Sequence, residues 1–515
     1  MKKLSIVLML ASLVSSMLGF GRELILGHYF GASSIVDAYQ VSISITMTFF
    51  LIFGTGLITT FIPTYTRMKK KLGDEKSLTF TNQVVFSLML FSTCIVIFIY
   101  LANDILINLF ASGFDEKTSD LTKSFLMISA FGIFFNNLFY ISKAFLQANN
   151  SFVWASLVGI PFNLIIICSI IFSYESNNFY FLAIGNLFAL FIQALLLYPS
   201  VKKIGVSFKI RDSETMPEVL LMLKSSIPVI IGVSINEINN IVSKTLASNV
   251  VGGIASLNYA NRLSTFVQTI FVTTLVTLMY PYISRLIASN ANKEFKVVIS
   301  ETLRTILVIV LPISLLSMLL SKEIIKLLFG HGEFTIAALK MTSSSLFFYS
   351  IGMVAIGYRE VISRVFYSLN DTKTPMKNAA YGIILNIGIS IFFYNYLKLG
   401  VSGLALATSI SAIIIAFLLS NSLKNKIGFT FIKLEFNNIL KISFASLVMI
   451  LFTYLLKSYL EYVGVEYYLI IFICSICALF LYLCAIYLTN VQGIRDNYKK
   501  ICKKLFGIAK KILKY

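Results

Sequence analysis

Residues 142–151 read SKAFLQANNS, and 221 positions further on residues 363–372 read SRVFYSLNDT. The same interval relates Gly31 in HYFGAS (28–33) to Gly252 in NVVGGI (249–254). Pro63-x-x-x-Arg67 reappears as Pro281-x-x-x-Arg285, and Leu109-Phe110 with Gly113 as Leu328-Phe329 with Gly332, so the spacing drifts by only a few residues. One pattern written twice into an apolar chain points to two fused helical bundles with a site between them, an organisation common among carriers.

Composition supports that reading. Hydrophobic residues make up 57% of the chain and charged ones 13%, with mean hydropathy +0.84. A water-soluble globule of this composition would expose far more apolar area than water tolerates, so the expected class is an all-α polytopic membrane protein. Lys2 and Lys3 precede an apolar run as in a signal peptide. No small-residue cleavage pattern follows, however, and the run continues to Arg22 and Glu23, so it reads as the first span.

Charged and Gly/Pro-rich breaks divide the sequence into fourteen predicted transmembrane helices: 5–28, 36–64, 82–101, 121–146, 153–173, 178–200, 219–248, 254–284, 297–319, 341–366, 376–397, 400–421, 438–459 and 466–488. Each can cross a hydrocarbon layer of roughly 30 Å. Helices are expected because a lipid-exposed backbone must satisfy its own hydrogen bonds.

The cations fall on alternate loops: Arg67, Lys69, Lys70, Lys71 and Lys76, then Lys202, Lys203, Lys209 and Arg211, with later clusters at 293–296, 373–377 and 424–433. The opposite loops carry acids such as Asp104, Asp115, Glu116 and Asp120. By the positive-inside rule the basic loops and both termini are cytoplasmic. Much of the formal +20 charge is therefore a topology signal, and nucleic acid is not an expected partner.

Six helices per copy is an even number, so both copies enter the membrane from the same side, related by an axis along its normal. The expected organisation is an N-lobe over 1–205, a C-lobe over 216–428, two extra helices within 437–490 and a basic amphipathic tail over 491–515 suited to anionic lipid.

A charge inside a span costs about 2.5 to 3.5 kcal/mol at a helix centre and needs a partner or a wet cavity. Arg22 and Glu23 lie toward the outer end of the first helix, Asp37 at the outer start of the second, Lys244 and Arg262 in the outer parts of the seventh and eighth. All five share one depth, on the same helices of the two copies. A cavity lined by Arg22, Lys244 and Arg262 would attract an anion, with Glu23 or Asp37 holding the cations when it is empty. The guanidinium fork suits phosphate oxygens. The competing reading makes these residues internal ion pairs or side chains snorkelling to the interface.

Catalytic and metal signatures are scarce. His28 and His331 lie at helix ends, no HExxH or phosphate-binding glycine loop occurs, and Cys474-x-x-Cys477 has no second pair. An integral-membrane glycosyltransferase would require a sizeable polar loop, which the chain lacks.

Several motifs together resemble the MurJ (MviN) family of lipid II flippases, within the multidrug/oligosaccharidyl-lipid/polysaccharide exporter superfamily. They are Leu18-Gly19-Phe20-Gly21-Arg22-Glu23, Phe30-Gly31-Ala32, Asp37-Ala38-Tyr39, Phe61-Ile62-Pro63, Leu246-Ala247-Ser248 and Leu257 to Leu263. Phe366-Tyr367 to Asp371-Thr372-Lys373-Thr374-Pro375 and Gly403 to Ser409 extend the match through the second copy.

The resemblance implies a carrier, not an enzyme, that moves undecaprenyl-pyrophosphate-linked peptidoglycan precursor (lipid II) between leaflets of the bacterial cytoplasmic membrane. It also implies a central cavity for the head group and a groove at the two extra helices for the lipid tail. Arg22, Glu23, Asp37 and Arg262 match positions that matter in the family. No cofactor is expected, and a monomer in contact with membrane lipids suffices. Three departures stand out: Ser16 replaces a common arginine, Phe50 and Leu51 replace basic residues of the second helix, and Ser243 replaces an aspartate linked to sodium coupling. Coupling to Na+, to H+ or to membrane potential therefore stays open. So do another polyprenyl-linked glycan and a cation-coupled small-molecule exporter as alternatives.

Overall fold

The computed structural model describes residues 2–149, 151, 157–205, 215–289 and 291–491. Linker residues 206–214 and the tail 492–515, where an amphipathic helix is expected, lie outside the described residues. Every regular element among the described residues is helical.

The first half runs α1 (Lys2–Phe30), α2 (Ser34–Phe49), a π-helical turn (Phe50–Gly54), α3 (Thr55–Leu101), the short α4 (Asn103–Ala111), α5 (Glu116–Ser129), α6 (Gly132–Ala148), α7 (Gly159–Glu175) and α8 (Tyr180–Ile204). The second runs α9 (Met216–Ala247), α10 (Gly253–Val267), a second π-helical turn (Gln268–Thr273), α11 (Thr274–Ala288), α12 (Asn292–Leu319), the short α13 (Ser321–Phe329), α14 (Ile336–Ser368), α15 (Lys373–Asn395) and α16 (Gly400–Ile427). The sequence repeat thus returns as a repeat of elements, down to a π turn in the second helix of each copy. Such turns insert one extra residue per turn and recur at functional positions. Two further helices, α17 (Phe431–Tyr462) and α18 (Tyr467–Leu488), have no counterpart in either copy.

Among the described residues ten helical stretches are long and apolar enough to cross a membrane, or eleven when α5 and α6, bent by 43°, count as one. The stretch Ser34–Leu101, 68 residues long, is too long for a single crossing. It kinks at Gly73 (φ 86°, ψ 179°), beside the basic run Lys69–Lys71. Only glycine adopts that backbone geometry without strain.

The chain forms two compact units. The first comprises 1–262, 328–342 and 383–404. Its core stacks Phe61 on Tyr65 and Phe80, with Leu88, Phe145 and Leu197 around them. The second comprises 263–327, 343–382 and 405–515, with a core of Ile283, Ile299, Leu303, Val361, Val365 and Leu419.

Within the second unit the α17–α18 hairpin is fastened to α12 and α13. Ile442, Met449 and Tyr482 pack against Leu307, Leu311 and Leu315, and Tyr482 donates to the Val308 carbonyl at 2.7 Å. Arg304 donates to both Glu435 carboxylate oxygens at 3.1 Å, and Asn438 donates to the same carboxylate at 2.6 Å. Lys457 reaches Glu323 at 2.9 Å and the Leu319 carbonyl at 3.1 Å. Charges at such depth persist when they are paired and fully hydrogen-bonded.

Candidate functional site

A chamber of about 370 Å³ lies inside the first unit. It is built by α1, α2, α6, α7 and α8 of the first repeat with α9 and α10 of the second. Four of the five residues singled out by charge and depth line it: Arg22, Glu23, Lys244 and Arg262.

Arg22 and Glu23 are consecutive on α1, yet their side chains pair, Arg22 Nη2 donating to Glu23 Oε1 at 2.7 Å. The Arg262 Nε, arriving from α10, lies 3.6 Å from the same oxygen. One carboxylate therefore bridges two guanidinium groups from the two repeats. Exposure of the three side chains differs in a telling way: 8% for Glu23, 18% for Arg22 and 54% for Arg262. The acid sits at the back and Arg262 reaches into the open space. Lys244, near the end of α9, makes its contact with the Ser44 hydroxyl on α2 and not with an acid of the chamber. Three cations thus face one carboxylate, an arrangement that favours an anion with several oxygens.

Asp37 is placed differently. It does not line the chamber and contacts none of the three cations. Its carboxylate accepts the backbone N–H of Gly252 at 2.7 Å and of Ala255 at 2.8 Å, at the beginning of α10. Glu23, not Asp37, is therefore the counter-ion of the chamber. Asp37 caps the first turn of α10, where unpaired N–H groups and the helix dipole both favour a carboxylate.

Around Asp37 the two repeats close on each other. Gly31 (φ +61°) and Gly252 (φ +72°) are equivalent positions, and each presses on the other repeat's backbone. A Cβ on Gly31 would lie 2.3 Å from the Glu333 carbonyl oxygen, and one on Gly252 2.1 Å from that of Ala32. Both positive φ and close approach require glycine there. Tyr259 donates to the Gly31 carbonyl at 2.9 Å, the Glu333 N–H to the His28 carbonyl at 3.0 Å and the Gly113 N–H to Ser248 Oγ at 3.0 Å.

Sequence reasoning missed the uncharged polar lining: Gln40 on α2, Asn136 on α6, Asn186 on α8 and Asn258 on α10. A polar residue inside an apolar run was the available signal, and it is far weaker than a charge. Glu237 on α9 accepts from Thr48 Oγ1 at 3.0 Å. Among the described residues no three His, Cys, Asp or Glu side chains gather as a metal site.

An all-helical, multi-pass membrane protein with a cationic chamber among its spans belongs to the carriers, as opposed to enzymes that work on lipids. Residues 26–473 match the family described as lipid II flippase MurJ. The chain is 30% identical over 465 residues to the probable lipid II flippase MurJ of Buchnera aphidicola subsp. Baizongia pistaciae, covering 88% of this chain and 89% of that one. It is 30% identical over 452 residues to the lipid II flippase MurJ of Thermosipho africanus, covering 88% and 90%. A solved lipid II flippase MurJ in an inward closed conformation superposes with a TM-score of 0.80 at 29% identity, over 94% of this chain and 98% of that one. An inward-facing multidrug transporter of the MATE family shares the fold, with a TM-score of 0.70 at 13% identity over 80% and 94%. The chain belongs to the MurJ family.

Proposed function

We propose that this protein carries lipid II, the undecaprenyl-pyrophosphate-linked peptidoglycan precursor, from the inner to the outer leaflet of the bacterial cytoplasmic membrane by alternating access. The observation that carries the proposal is the Glu23 carboxylate held between Arg22 and Arg262 in a chamber that also contains Lys244. A diphosphate offers oxygens on several sides, so it can join the single carboxylate as partner of the guanidinium groups. Loading then adds charge-assisted hydrogen bonds to Arg262 and Lys244 while Glu23 keeps its pairing with Arg22.

In this reading the chain makes fourteen crossings, with lobes over 1–205 and 216–428 and both termini in the cytoplasm. The hairpin within 437–490 supplies the groove for the polyprenyl tail. Its outward faces support that role: Leu447, Leu451, Leu455, Phe472, Leu479 and Phe480 are all exposed apolar side chains. The fastening of Arg304 to Glu435 keeps that groove fixed to its lobe. We take the Asp37 end as the outer side, which makes the closure around Asp37 an outward one. Transport needs the Asp37 contacts to break and an opposite closure to form. One monomer suffices, and membrane potential supplies the drive.

The test is sidedness of labelled lipid II in cells depleted of the native protein and supplied with Arg22→Ala or Arg262→Ala. Accumulation on the inner face is expected for both. Wild-type arrival at the outer face with either variant refutes the assignment.

A further inference from the structure

We propose that Asn136 and Asn186 form an uncharged surface that reads the sugar joined to the diphosphate, an inference that rests on the lipid-linked glycan reading above and deepens it. Both residues line the chamber that holds Arg22 and Arg262. They are only 4% and 7% exposed, yet neither side-chain amide makes a hydrogen bond among the described residues. The adjacent Asn137 does not line the chamber; its amide N–H donates to Ser92 Oγ at 2.8 Å, while its amide oxygen is buried without a partner.

An unpaired amide within a membrane span is costly, and it persists where it faces a wet cavity or a ligand. Each amide carries both donors and an acceptor. That pairing matches the hydroxyl and acetamido groups of a sugar, which also donate and accept. A diphosphate only accepts, and arginine satisfies it better. The repeat also argues that the fold does not demand these amides. At the 221-residue interval the counterpart of Asn136 is Gly357, so one copy carries the amide and the other nothing. Peptide amides on the glycan have the same hydrogen-bonding character. We assign the sugar because it is bonded directly to the group that Arg22 and Arg262 hold.

The experiment measures binding of the full chain, wild type and Asn136→Ala/Asn186→Ala, to three lipids: undecaprenyl pyrophosphate, the same lipid bearing the disaccharide without peptide, and lipid II. The double variant is expected to bind both glycan-bearing lipids about 100-fold more weakly, with about tenfold from each amide. Binding of bare undecaprenyl pyrophosphate stays unchanged, which also shows that the variant is folded. Arg22→Ala weakens binding of all three. No loss on any lipid, or equal loss on all three, overturns the sugar surface and leaves the flippase reading standing. A loss confined to lipid II overturns the sugar assignment in favour of the peptide. Failure of the wild-type protein to bind any of the three overturns the flippase reading itself.

Discussion

Removing the Asp37 carboxylate loosens the contact of α2 with the start of α10, the proposed outward closure, by an amount the geometry allows one to work out. The carboxylate accepts two backbone N–H groups at 2.7 and 2.8 Å, both from the start of α10, and is 1% exposed. A hydrogen bond to a charged partner contributes about 1.5 to 3 kcal/mol net. Two such bonds give about 3 to 6 kcal/mol, of which water entering the space left by Asp37→Ala restores part. A residual bias of about 3 kcal/mol shifts the balance between closed and open states roughly 100-fold. Asp37→Asn keeps one acceptor oxygen and turns an N–H toward the other donor, so it falls between wild type and alanine. The assay is reaction of an impermeant thiol reagent, added outside intact cells, with Ser248→Cys in a background stripped of the native cysteines. Ser248 is 4% exposed and its hydroxyl accepts the Gly113 N–H beside Asp37, so labelling reports opening. The expected order of rates is alanine, asparagine, wild type, with alanine faster by tenfold to 100-fold. Equal rates for all three refute the role of Asp37 as a latch.

Other consequences are open to direct measurement. Glu23→Ala leaves the part-buried Arg22 without its partner and the exposed Arg262 without its contact, so thermal unfolding in detergent should shift downward, by about 3 kcal/mol for the stranded Arg22. An added polyphosphate should restore more of the loss in this variant than it adds to wild type. Arg304→Ala should cost about 3 to 5 kcal/mol by stranding Glu435, whereas the double change Arg304→Met/Glu435→Leu should recover most of it. Asp371, in the turn before α15, is held down at about 2 by Lys426 and by the N–H and hydroxyl of Thr374. Because its folded value lies below the unfolded one near 4, its stabilising effect is complete above pH 4 and disappears as pH falls toward 2. Asp371→Asn should flatten that part of the acid-unfolding profile.

Much of the architecture was legible because membranes enforce strong rules. Apolar run length and the repeated pair SKAFLQANNS and SRVFYSLNDT needed no tertiary information. The gathering of Arg22, Glu23, Lys244 and Arg262 was equally readable, since insertion cost makes charges conspicuous. Direction was not. Asp37 carries the same signal, but it sits in the first turn of α2, two turns before the chamber-lining Ser44, and the N–H groups of Gly252 and Ala255 decide its partner, which depends on how α10 begins. The π turns at Phe50–Gly54 and Gln268–Thr273 were hidden because no composition marks them. Asn136 and Asn186 were hidden because an amide in an apolar run disturbs hydropathy far less than an ion does.

The charge balance of the chamber bears on how the proposed cycle is driven. Empty, it holds Arg22, Lys244 and Arg262 against Glu23, three positive groups against one negative. A diphosphate carrying about two negative charges brings the loaded chamber close to neutral, so the loaded crossing moves little net charge. The empty return moves an excess of two positive charges inward, and the potential acts there. At about 2.3 kcal/mol per charge for each 100 mV, a return spanning the whole field would be favoured by up to about 4.6 kcal/mol. Voltage on this account resets the carrier more than it expels the substrate. Collapsing the potential should therefore slow repeated turnover in vesicles while leaving a single loaded crossing nearly unchanged. A single crossing that slows in proportion to turnover would place the voltage-sensitive step elsewhere and remove Lys244 from the return.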